Sequence, residues 1–120
     1  MSPTAAGWVV SALAVLPLVA SGTMKLVGHR VVVENLAQFG FGRGVLRPMG
    51  ALEYLFVALF LLPLTAVLGA ILLTGWMGGA IATHVRVGDR FLVQTLIPVL
   101  VWAGYALRHA DLARHALPFL

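Results

Sequence analysis

Residues 48–83 form an apolar stretch in which Glu53 is the one charged side chain. As a single helix these residues would rise about 54 Å, against a hydrocarbon core of about 30 Å, so the stretch cannot be one span. The chain must fold back within it. Pro63 marks the place: proline has no backbone donor and biases the preceding residue away from helix, which puts the turn at residues 62–65.

The remainder of the chain is of the same kind. It is 61% hydrophobic and only 10% charged, where a soluble domain has about a quarter of its residues charged. An integral membrane protein follows, and 120 residues hold one small bundle, read as a single domain over residues 1–120. There is no cysteine, which excludes disulfides, thiolate metal sites, thioether-linked haem and any dithiol relay within the chain. Redox chemistry here would need an external cofactor or partner. The formal charge of +4 comes from loop arginines, which in a membrane protein record topology or lipid headgroup contact rather than nucleic-acid binding.

Four spans are expected, at about residues 5–27, 47–62, 64–84 and 91–107, giving an all-α, four-transmembrane-helix bundle. The first lacks the positive n-region of a cleaved signal and is read as a retained helix. Between the first two spans, residues 31–39 set Val32, Leu36 and Phe39 on one helical face, which suits a short helix lying at the interface. Gly40, Gly42 and Gly44 around Arg43 are read as a hinge, since no strand precedes them and no Lys-Ser/Thr pair follows to make a phosphate loop. Arg30, Arg43, Arg47, Arg86 and Arg90 fall on one side of such a bundle, and Arg108 and Arg114 on the other. By arginine bias the first and third loops are cytoplasmic, in what we take to be a bacterial inner membrane.

The polar residues inside the spans carry the functional signal. Lys25, Glu53, His84 and Gln94 come from four different spans, and because successive spans alternate in direction, all lie toward the side of the long loop. A carboxylate at the depth of Glu53, roughly 9 Å in from Arg47, must be paired, hydrogen-bonded or protonated. Ser21, Lys25 and His29 follow at intervals of four and form a polar stripe expected to face the bundle, so Lys25 is the preferred partner of Glu53. His84 offers an imidazole able to pass a proton, and Gln94 a helix-to-helix hydrogen bond. The Gly75-x-x-x-Gly79 spacing in the third span predicts close helix packing, within the bundle or across a homo-oligomer face. Trp8, Trp76 and Trp102 are read as interfacial anchors or packing residues.

Ser21-Gly22-Thr23-Met24-Lys25-Leu26, Gly50-Ala51-Leu52-Glu53, Leu68-Gly69-Ala70 and the segment from Gly79 to His84 occur in this order. Together they resemble the DoxX-like family over about residues 7–107. The resemblance implies a four-helix integral membrane protein, with relatives that include a membrane subunit of an archaeal thiosulfate:quinone oxidoreductase. It implies no reaction of its own. Some redox-linked relatives carry cysteines that this chain lacks.

Three functions fit these residues. The first is a membrane subunit, at most part of an oxidoreductase complex with a redox partner. It would hold a small apolar ligand such as a quinone between its helices, with Glu53 and His84 at the polar head, Lys25 setting the charge of Glu53, and Ser21 and Gln94 beside them. No intrinsic catalytic motif, metal site or covalent cofactor is expected. The second is an assembly protein in which the cluster only fixes helix register. The third is a small transporter, for which the sequence shows neither an inverted repeat nor paired broken helices.

Overall fold

The computed structural model describes residues 1–111, and among them every regular element is helical. Five α-helices follow one another: α1 (Pro3–Val27), α2 (Arg30–Gln38), α3 (Leu46–Leu61), α4 (Ala66–Arg86) and α5 (Leu92–Arg108), with one 3-10 turn at Arg43–Val45 leading into α3. Local chemistry accounts for the boundaries. Ser2 Oγ accepts from the Ala5 amide at 3.1 Å, and Pro3 occupies the first helical position, where a missing N–H costs nothing. At the other end Gly28 takes the left-handed conformation, φ 68°, and closes α1.

This glycine changes one expectation. Because α1 stops at Val27, His29 does not extend the Ser21–Lys25 stripe. Its Nδ1 instead accepts from the Val31 amide at 3.2 Å and caps α2. The segment read as a hinge has more order than that reading gives it: Gly40 turns the chain with φ 87°, and the 3-10 turn follows.

α1 packs against α3 and α5, and α4 packs against the same two, so the long helices form a ring in the order α1, α3, α4, α5. Ala14, Leu18, Phe60, Ala70, Leu73 and Val101 are buried where they meet. The outward faces are apolar as well: Leu13, Leu16, Leu55, Leu68, Ile71 and Val99 are all more than half exposed. Such a surface is stable only in lipid, since contiguous exposed apolar area of this extent is not found on soluble monomers. α1, α3 with its 3-10 turn, and α4 are each long and apolar enough to cross a membrane, while α5 is a shorter apolar helix of 17 residues.

Close approach in α4 falls at Gly69 and not at the Gly75-x-x-x-Gly79 pair. A Cβ on Gly69 would run into the backbone of Phe60 and Leu59, so the α3–α4 hairpin closes only because that position is glycine. Gly22 and Gly50 play the same part where α1 crosses α3: a Cβ on Gly22 would lie 3.3 Å from the Gly50 carbonyl oxygen. By contrast, Gly75, Gly78 and Gly79 have nothing within 4 Å of a built Cβ. The Gly75-x-x-x-Gly79 pair therefore makes no close contact within the bundle; both glycines leave space beside α4.

The end of α3 is sealed by three donors in succession. The Ala58 carbonyl accepts from the Leu62 amide at 3.2 Å, Leu59 from Thr65 Oγ1 at 2.8 Å, and Phe60 from the Arg108 guanidinium at 2.9 Å. These would otherwise be the orphan carbonyls of a helix terminus. Arg108 is thus no loop arginine. It is 9% exposed, donates to Ser11 Oγ at 3.2 Å, and its Cζ lies 4.2 Å from the Trp8 ring centroid and 4.8 Å from that of Phe60. Arg114, counted on the same side, lies outside the described residues.

Candidate functional site

At the opposite end of the ring, beneath α2, a pocket of about 670 Å³ opens between the helices. Ser21 and Lys25 reach it from α1, Glu53 from α3, Trp76 and His84 from α4, and Gln94 from α5. The structure brings together all five of the polar side chains singled out in the sequence, on four helices and at one end of the bundle. Between them the walls are largely apolar: Leu18, Met49, Met77, Ala80, Val93 and Ile97, with Val32 and Leu36 of α2 and Phe39 just after it across the mouth. Gly75 and Gly79 line the same space, and the room left by their missing side chains is part of it.

Glu53 is 1% exposed. Three donors from two helices converge on its Oε1: the Lys25 ammonium in an ion pair, Ser21 Oγ at 3.5 Å and Trp76 Nε1 at 3.2 Å. Ser21 and Lys25 are one turn apart on α1, which is why both reach one oxygen. The other oxygen, Oε2, has no hydrogen-bond partner among the described residues and lies against Gly22, where a Cβ would come within 3.7 Å of it. Lys25 Nζ also sits 5.9 Å from the Trp76 ring centroid, and Trp76 meets Phe56 edge-on with centroids 5.7 Å apart. Beside the pair, Thr23 and Tyr54 share a hydrogen bond between α1 and α3.

His84 makes a second, separate polar group on the pocket wall. Its Nδ1 stands 2.7 Å from the Ala80 carbonyl oxygen, so that nitrogen carries a proton and donates. Nε2 then faces the Gln94 side-chain nitrogen at 3.5 Å and Asp89 Oδ2 at 4.0 Å. In the neutral ring Nε2 accepts from Gln94; in the charged ring it pairs with Asp89. Phe39, at the C-cap of α2, leans on the imidazole with centroids 4.7 Å apart. Among the described residues no hydrogen bond joins this group to Glu53, so the pocket carries two polar stations separated by apolar wall.

Trp76 was missed as a partner of Glu53, although a signal for it existed. Trp76, Ala80 and His84 follow at intervals of four and therefore share a face of α4. A tryptophan in line with a buried carboxylate is a donor before it is an anchor.

The fold and site define a small all-helical membrane protein with an ion pair buried between its helices and a ligand-sized pocket at one end. The family model of the DoxX-like family matches residues 9–107, and the chain belongs to that family. No curated protein and no solved structure matches it.

Proposed function

We propose that this chain is a membrane-embedded binding subunit whose pocket holds a small apolar molecule with a hydrogen-bonding head, of the quinone class, for a redox partner in the same membrane. The observation that carries the reading is the pocket of about 670 Å³ with two polar stations set into largely apolar walls. Sites for such ligands are mostly apolar concavities with a few convergent polar groups. A quinone offers two carbonyl acceptors across a ring, and when bound supplies a carrier of electrons and protons. The donors present suit such acceptors. The Lys25 ammonium has donors beyond the one given to Glu53, and the Gln94 amide brings a second set from α5. Glu53 holds Lys25 in place and balances its charge, and His84 can hold or give a proton at Nε2.

In this reading α5 crosses as the fourth span. Its 17 residues rise about 26 Å, close to the hydrocarbon thickness once the bilayer thins locally. The bias of Arg30, Arg43, Arg47, Arg86 and Arg90 toward the pocket end supports a cytoplasmic orientation for it.

The test is binding of a short-chain quinone to the purified protein in nanodiscs, followed by quenching of Trp76 in a background with Trp8→Phe and Trp102→Phe. Gln94→Leu and His84→Phe leave the ion pair intact; each should weaken binding about tenfold, the effect of one lost hydrogen bond of roughly 1.4 kcal/mol. Unchanged affinity in both variants, or no saturable quenching at all, defeats the reading.

One observation favours a second reading, in which the cluster is a structural clamp. All three donors meet on Oε1 of a carboxylate that is itself 1% exposed, an arrangement suited to fixing helix register. If so, Glu53→Gln loses folded protein, while Gln94→Leu and His84→Phe change nothing.

A further inference from the structure

A second cavity, of about 470 Å³, lies on the other side of Lys25, between the end of α1, α2 and the start of α3. Lys25, Arg43 and Arg47 line it, together with Val33, Leu46 and the backbone of Gly28. No acidic side chain is in the lining, and among the described residues neither Arg43 nor Arg47 has an acidic partner. Glu34 is exposed and engaged with Arg30 at 3.5 Å, and Glu53 is buried in its pair with Lys25. The start of α3 has no side-chain cap, and its dipole has the same sign as the two arginines.

We infer that this cavity binds a phosphate group. Two arginines without an acidic partner border one space beside the Lys25–Glu53 pair, and arginine engages phosphate oxygens through paired N–H donors. The Gly40–Gly44 run contributes here through Arg43 rather than through a phosphate loop. Depth and lining select the headgroup of an anionic phospholipid as the source. The cavity reaches the level of Arg47, about 1.7 helical turns from the buried Glu53, and Val33 and Leu46 give it apolar wall for the start of an acyl chain. The inference does not depend on the ligand of the larger pocket, although Lys25 borders both.

The experiment is native mass spectrometry of the protein released from nanodiscs of mixed phosphatidylglycerol and phosphatidylcholine, repeated with excess inorganic phosphate. Preferential retention of phosphatidylglycerol is expected. The combined Arg43→Gln and Arg47→Gln variant should lower it about 30-fold, the effect of two interfacial arginines. Arg86→Gln with Arg90→Gln removes the same charge from the same end of the bundle and should leave the preference in place. Inorganic phosphate that displaces the lipid, or that binds without any lipid preference, supports the site and names solution phosphate as its source. Equal loss in both double variants reduces the effect to overall charge and overturns the inference. Wild-type protein that retains both lipids equally and ignores phosphate overturns it without any variant.

Discussion

Trp76 Nε1 donates at 3.2 Å to the same Glu53 oxygen that carries the Lys25 ion pair. The indole thus links α4 to a pair formed by α1 and α3, and three helices share one atom. Trp76→Phe keeps the ring against Phe56 and removes only the donor. It should lower stability by about 1 kcal/mol, the net value of a hydrogen bond, and more if the acceptor's charge counts in full. Thermal unfolding in detergent measures it. A melting temperature equal to wild type would mean that the bond contributes nothing.

The Lys25–Glu53 pair itself is expected to behave as buried pairs do. Removing one partner leaves an uncompensated charge, at a cost of about 3–5 kcal/mol, whereas replacing both by apolar residues of similar size is far milder. Lys25→Met and Glu53→Leu should each be strongly destabilising, and the double variant should regain most of the loss. A double-mutant cycle in which the two effects simply add would show that the pair is uncoupled.

Much of this architecture was legible in the sequence, for physical reasons that differ from residue to residue. The turn at Pro63 was readable because an apolar run too long for the bilayer has to reverse where its backbone loses a donor; α3 ends at Leu61 and α4 begins at Ala66. The meeting of Lys25 with Glu53 followed from alternating span direction and from the polar stripe that turns Lys25 toward the bundle. Arg108 was not readable. Its charge suggested a loop, and only the fold reveals that a carbonyl of α3 and the Ser11 hydroxyl of α1 wait for it. The glycines misled for a related reason: spacing says which small residues share a helix face, but not whether that face meets a helix or a cavity. His29 was misplaced by one feature, the left-handed Gly28 that ends α1 before the polar stripe can continue.

That contrast among glycines is measurable. Gly69→Ala places a methyl against the Phe60 backbone, which cannot swing aside, whereas Gly78→Ala points into open space. Gly69→Ala should cost about 1–3 kcal/mol or more, the range for overpacking. Gly78→Ala should be neutral or slightly stabilising, since alanine favours helix over glycine by about 1 kcal/mol. Equal melting temperatures for the two variants would contradict the packing described for the α3–α4 hairpin.

Arg108 offers the sharpest local test, because its role lies at one carbonyl. The guanidinium closes the third of three successive carbonyls at the end of α3 while its plane rests among Trp8, Phe60 and Ser11. Arg108→Met retains the apolar stem and loses the donors. Loss of charged hydrogen bonds to a buried acceptor costs about 1.5–3 kcal/mol, and the Phe60 carbonyl is left without a partner. The damage should be local: hydrogen exchange should rise in α1 near Ser11 and at the end of α3, while amides around Glu53, at the opposite end of the bundle, keep their protection. Ser11→Ala removes only one acceptor and should cost about 1 kcal/mol, with no change at the α3 terminus. Exchange that rises uniformly along all four long helices would instead make Arg108 a determinant of global stability, and its proposed local role at the α3 terminus would fail.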